Sequence, residues 1–156
     1  LTAGPEVTMG RILGIDYGTR RLGLAISDAL GMIATPLSVE TVASMSEAVA
    51  VTRKVAGERG VERVVVGLPI NMNGTQGPMA AEVLLFVEKL KEASGLPVVT
   101  WDERLSTGMV ERVLLEADLS RGRRKEVRDK LAAQVILQGY LDAQPGALHD
   151  ADETYD

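Results

Sequence analysis

The chain has 156 residues, 46% hydrophobic and 25% charged, the balance of one globular α/β-sized domain rather than a fibrous or disordered chain. Only five aromatic residues occur, which argues against nucleic-acid readers that stack bases on aromatic platforms. The absence of cysteine excludes disulfides and thiolate zinc sites. No apolar run nears the ~18 residues of a membrane helix and no signal-peptide pattern opens the chain, so the expected location is the cytoplasm. Net charge is −5, but five acids (Asp142, Asp150, Asp152, Glu153 and Asp156) fall in a terminal stretch without Lys or Arg. The remaining body is neutral. Within it, residues 121–130 read RGRRKEVRDK, six bases in ten positions.

In chain order, RILGIDY (11–17) and LGLAISD (22–28) are apolar, β-rich runs joined by the turn GTRR, so they form a hairpin. A third strand is expected near 37–42. Helical spacing of Met45, Val49, Val51 and Val55 predicts a helix over 44–59, capped by Ser44 or Ser46 and closed by Gly60. VERVVVGLP (61–69) has the unbroken apolar centre of a strand buried on both faces. The loop 69–78 is dense in turn formers; a surface loop is its plain reading, a lid or substrate contact the alternative. A helix over about 79–94 ends at Gly95, and PVVTW (97–101) is another buried strand. Helices are expected at about 106–117 and 126–142, separated by the basic stretch as a loop. Strands alternating with helices after an initial meander predict an α/β fold, a mixed sheet covered on both faces. The folded domain is expected over 9–142, with 1–8 as leader or appended residues and 143–156 as an acidic, flexible tail.

Asp16 lies in LGIDYG, an acid in an otherwise apolar strand, costly unless paired, hydrogen-bonded or bound to a cation; capping the turn is the plainer role. Gly14 and Gly18 leave room beside it. Asp102 and Glu103 end the strand VVTWD, at the carboxyl edge where ligands gather in α/β sheets, and point in opposite directions. Spacing alone leaves open which of the two faces Asp16. Asp129 begins the stripe Asp129, Ala132, Ala133, Ile136, Leu137, Tyr140, which aligns a carboxylate with the buried face of the last helix. Helix-dipole stabilisation explains an acid near a helix start but gives no reason for an inward one.

Three inward acids would form a hard oxygen cluster suited to Mg²⁺ or Mn²⁺, and two such ions about 3.5–4 Å apart can activate water and stabilise the leaving oxygen in phosphodiester hydrolysis. Arg20, Arg21 and Arg104 flank the first two acids, while Arg121, Arg123, Arg124, Lys125 and Arg128 precede or adjoin the third. Such residues would hold a phosphate backbone, although a solvated charge run is an equally ordinary reading of the last group. Glu126 is a secondary ligand candidate. Asp28 reads as a turn residue, and His149, the only histidine, lies in the acidic tail, which disfavours a histidine base.

The stretches LGIDYGTRRLGLAISD (13–28), VVVGLPINMNGTQG (65–77 region), DERLST (102–107) and RDKLAAQVILQGYL (128–141) together resemble the YqgF or RuvX-like family, relatives of RuvC resolvases in the ribonuclease-H-like superfamily. The resemblance spans about Met9 to Asp142. It implies a five-stranded mixed sheet flanked by helices, with metal-binding acids at Asp16, Glu103 and Asp129, so that Glu103 rather than Asp102 is the ligand. It also implies a nuclease maturing the 5′ end of pre-16S ribosomal RNA or, alternatively, a resolvase of branched DNA, with a homodimer in some members. RuvC-type resolvases carry two acids in the last helix; here only Asp129 and the displaced Glu126 are present, which weighs against strict junction resolution.

Two other classes compete. GIDYGT is similar to the first phosphate loop of actin-like ATPases and sugar kinases, but those enzymes close two such domains around a nucleotide and this chain supplies one. A non-catalytic ribosome-assembly factor on the same fold is opposed by the three acids.

Overall fold

The computed structural model describes residues 10–105 and 121–144, without the side chains of 121, 122 and 124–127. Five strands form one sheet: β1 (Arg11–Tyr17), β2 (Arg21–Ser27), β3 (Ala34–Thr41), β4 (Val61–Leu68) and β5 (Val98–Asp102). Their order is β3-β2-β1-β4-β5. The first three strands make an antiparallel meander, whereas β4 and β5 run parallel to β1. Among the described residues three α-helices accompany the sheet: α1 (Met45–Arg59), α2 (Pro78–Ser94) and α3 (Arg121–Asp142). Among the described residues no helix is long and apolar enough to cross a membrane.

Alternation along β1 divides the molecule into two layers. Leu13, Ile15 and Tyr17 enter the larger core with Leu22, Leu24, Val64 and Val66, which α1 and α2 cover through Ala48, Val83, Phe86 and Leu90. Ile12, Ala25 and Val65 face the other way and pack on Ala133, Ile136, Leu137 and Tyr140 of α3. The expected sheet covered on both faces is therefore observed. Burial of both faces of β4 explains its uninterrupted Val64-Val65-Val66 run, each residue fully buried.

Local signals mark the helix ends. The Ser44 side chain accepts a hydrogen bond from the Glu47 amide at 3.1 Å, and the Glu47 carboxylate reaches back to the Ala43 amide. Gly60, at φ +66°, closes α1 in the left-handed region that glycine enters without strain. β3 begins at Ala34, earlier than the expected 37, because it is an edge strand that tolerates Pro36. The helix expected from about 126 already begins at Arg121, so the first half of the basic stretch is helix, not loop: Arg and Lys are good helix formers, and no proline interrupts the run. The helix expected at 106–117, the residues before Gly10 and the tail with His149 lie outside the described residues.

Candidate metal-dependent nuclease site

β1, β4 and β5 are parallel, so their carboxyl ends share one edge of the sheet, and the candidate acids gather there. Asp16 follows Ile12 and Gly14 on the α3 side of β1. Its cross-strand partner is Gly23. A Cβ built on Gly23 would lie 3.4 Å from both the Asp16 Cβ and the Asp129 carbonyl oxygen, and 3.7 Å from the Ala133 Cβ. The middle of α3, from Asp129 to Ala133, thus runs directly over the Asp16–Gly23 pair. On β5, Val99 and Trp101 pack on the α3 side, and Glu103 continues that side into a short 3₁₀ turn, Glu103–Leu105. A Cβ on Gly67 would lie 2.7 Å from Glu103 Oε2 and 2.4 Å from Ile136 Cδ1. Glycine at 67 therefore keeps open the space that the Glu103 carboxyl occupies beside α3.

The electrostatics separate these acids from ordinary surface carboxylates. Burial, and secondarily the charge of Asp129, push Asp16 up to about 6. Burial also pushes Glu103 up to about 7, reinforced by Asp16 and then by Asp102. The two carboxyls are electrostatic neighbours, short of water, and titrate close to neutrality. Asp102 is lowered, chiefly because the Arg104 side chain donates to it, with Nη2 at 2.7 Å from Oδ2. Asp102 thus neutralises Arg104 while Glu103 turns toward Asp16. Asp28 is also lowered, by the amides of Ile33, Met32 and Leu30 that it accepts in the β2–β3 turn, the turn role expected of it.

Asp129 borders this pair, but its carboxylate is joined to the Arg21 guanidinium. Among the described residues, no three acidic, histidine or cysteine side chains stand close enough to hold one ion together. The three acids thus share one edge of the sheet without forming a preformed cage among the described residues. All three acids are half-buried, and Asp129 is the one whose charge the Arg21 guanidinium answers. The donor set nevertheless suits a hard divalent cation: oxygen ligands only, two of them raised by burial and like charge that such an ion would relieve.

Of the expected phosphate contacts, Arg20 in the β1–β2 turn and Arg21, the first residue of β2, stand at the same edge and are both exposed. Arg104 is tied to Asp102, Arg123 is exposed, and Arg128 is half-buried. The side chains of Arg121, Arg124, Lys125 and Glu126 lie outside the described residues. The 69–78 loop is ordered by its own bonds: the Asn71 amide donates to the Thr75 carbonyl at 2.9 Å, and Asn71 Nδ2 to Thr75 Oγ1 at 3.0 Å.

A family model described as "RuvX: Holliday junction resolvase" matches residues 10–143. The chain belongs to the RuvX family. A RuvX relative from Symbiobacterium thermophilum, named "Putative pre-16S rRNA nuclease", is 54% identical over 134 residues, covering 86% of this chain and 93% of the relative. One from Desulforamulus reducens with the same name is 50% identical, covering 85% and 97%. Among solved structures, Thermus thermophilus RuvC in complex with Holliday junction substrate superposes with a TM-score of 0.55 at 21% identity, covering 88% of this chain and 96% of that one. The fowlpox virus Holliday junction resolvase gives 0.50 at 12% identity, covering 86% and 99%. These two establish the RuvC-type, ribonuclease-H-like fold. RuvX proteins are nucleases, hydrolases of phosphodiester bonds, so membership decides against the kinase-like and non-catalytic readings.

Two features of this RuvX chain were not read from its sequence. Gln134 and Gln138 fasten α3 to the edge strand: Gln138 Oε1 accepts from the Ala34 amide at 2.9 Å, and Gln134 Nε2 donates to the Ala34 carbonyl at 3.1 Å. Their i, i+4 spacing beside the apolar stripe is the signal that marks them. Gly23 and Gly67, each in a buried strand and each facing α3, likewise marked where a neighbour approaches closely.

Proposed function

We propose that this RuvX protein hydrolyses phosphodiester bonds with divalent ions, Mg²⁺ or Mn²⁺, held by Asp16, Glu103 and Asp129, and that its substrate is the precursor of 16S ribosomal RNA. The observation that carries this reading is the convergence of Asp16 and Glu103, raised to about 6 and about 7, at a sheet edge overhung by Asp129. Bound there, divalent ions would supply Lewis-acid stabilisation of the phosphoryl group and an activated water. The chain's own part is to hold the acids on rigid strands and to keep water away from Asp16 with α3. Arg20, Arg21, Arg104, Arg121, Arg123, Arg124, Lys125 and Arg128 would hold the phosphate backbone without reading its sequence.

The names of the relatives from Symbiobacterium and Desulforamulus favour precursor ribosomal RNA, and an enzyme acting on that substrate would work in the cytoplasm. The description of the matching family favours a second reading, cleavage of four-way DNA junctions, for which the homodimer that the resemblance implies would be the working form. A side-by-side cleavage assay on precursor 16S RNA, unrelated single-stranded RNA and a four-way junction tests both, with Asp16→Asn as control. Selective, metal-dependent cleavage of the precursor supports the first reading. Preference for the junction replaces it with the second, and cleavage unaffected by Asp16→Asn removes the proposed site from both.

A further inference from the structure

We propose that Arg21 is a switchable positioning residue: it holds Asp129 while no nucleic acid is bound and releases it to the metal when a substrate phosphate takes the guanidinium. This rests on the metal reading above. Arg21 Nη1 donates to Asp129 Oδ2, linking the first residue of β2 to the middle of α3 across 108 positions of sequence. Arg21 precedes Gly23 by two residues on the same strand, so its side chain leaves β2 toward the face on which Asp16 and Asp129 meet. Its backbone is pinned, the Gly18 amide donating to the Arg21 carbonyl at 2.9 Å, and a Cβ on Gly18 would come within 3.0 Å of that oxygen. The side chain is not pinned. It is 53% exposed against 30% for Asp129, so solvent and a polyanion both reach the pair.

Chemistry makes the partners exchangeable. A guanidinium binds a carboxylate and a phosphodiester with the same donor fork and keeps its charge near neutrality, so a substrate phosphate competes directly with Asp129 for it. Exposed ion pairs are weak enough for that exchange. The contrast with Arg104 is instructive. Arg104 binds Asp102 two residues away through Nε and Nη2, a local pair made with the acid that points away from the site. Arg21 instead occupies an acid expected to bind metal. While it does so, Asp129 carries a competing cation. Metal and nucleic acid would then each favour the other's binding, as reciprocal linkage requires.

The test is Mn²⁺ binding without nucleic acid, followed through the electron paramagnetic resonance of free Mn²⁺. Arg21→Gln should bind Mn²⁺ roughly threefold to fivefold more tightly than the wild type, the limit for an exposed pair. Arg20→Gln removes the same charge one residue away, without an ion pair to Asp129, and should tighten binding clearly less. Unaltered or weaker binding in Arg21→Gln overturns the switch, as does equal tightening in Arg20→Gln. If the wild type binds no Mn²⁺, or Asp16→Asn binds it equally well, the metal reading fails and the switch falls with it. Wild-type binding that is lost in Asp16→Asn but unmoved in Arg21→Gln sinks the switch alone.

Discussion

Gly23 stands directly opposite Asp16 across the β1–β2 ladder, and its missing side chain is the space through which α3 approaches the acid. Contacts of 3.4 Å would accommodate a lone methyl group there. The branched side chain of Gly23→Val would fill the gap between Asp16 and Asp129. That variant should lose cleavage and Mn²⁺ binding together, at an overpacking cost of roughly 1–3 kcal/mol that leaves the protein folded. Gly14→Ala is the counterpart. Its Cβ would meet the Leu137 Cβ at 2.6 Å and the Ala133 carbonyl at 3.1 Å, so the helix itself must move. Overpacking of this kind costs roughly 1–3 kcal/mol. Urea unfolding and cleavage assays on the two variants check both outcomes; a Gly23→Val enzyme of full activity would contradict the geometry.

Asp16→Asn should abolish cleavage and, in the absence of divalent ions, make the protein more stable at mildly alkaline pH. The amide keeps the shape of the carboxyl and removes a charge that burial and Asp129 both oppose. Thermal melts in chelator decide this, with circular dichroism confirming an intact fold. A less stable variant would mean that Asp16 has a structural partner on which the fold depends.

Much of this arrangement was legible in the sequence because its signals are local. The hairpin around GTRR, the buried Val64–Val66 run and the left-handed glycines at 60 and 95 each fix an element through short-range physics. Asp129 was legible as inward-facing because helical periodicity carries direction. What periodicity cannot give is which charge answers which. Arg21 and Asp129 lie 108 positions apart, and their pairing depends on a register that only the folded sheet creates. Direction along β5 was equally ambiguous from spacing. Packing of Val99 and Trp101 on α3 now carries Glu103 to that side. The first half of the basic stretch was misread as a loop because charge density resembles solvated coil, whereas helix propensity favours Arg and Lys.

Changing Arg123 and Arg124 together to Ala should weaken nucleic-acid binding and flatten its salt dependence. Each phosphate neutralised releases counterions, contributing a slope of about −0.9 for duplex DNA or about −0.7 for single strands to log K against log salt. Loss of two contacts should therefore reduce the slope by roughly 1.4–1.8. Their position before Asp129 on α3 puts the basic turns next to the proposed site. Fluorescence-anisotropy titrations at several salt concentrations measure the slope directly. An unchanged slope would remove these residues from the substrate path.

The raised acids also dictate how stability varies with pH. Asp16 moves from an ordinary 3.8 to about 6, and Glu103 from 4.5 to about 7. Between roughly pH 4 and 7 the folded state consequently holds more protons than the unfolded one, so these two groups make stability fall as pH rises. Asp28 and Asp102 have the opposite sign, because their lowered values cost stability only in more acidic solution. Without divalent ions, the wild type should lose stability from about pH 5 to about pH 8, by an amount of order 1–3 kcal/mol from the two raised acids. The Asp16→Asn, Glu103→Gln double variant should not show this loss. A bound divalent ion favours the ionised carboxyls, so saturating Mg²⁺ or Mn²⁺ should flatten the wild-type profile, and binding should release protons and tighten with pH. Melting curves across this range, with chelator and with metal, test the sign. A wild-type profile no steeper than that of the double variant would show that burial does not hold these two carboxyls near neutrality.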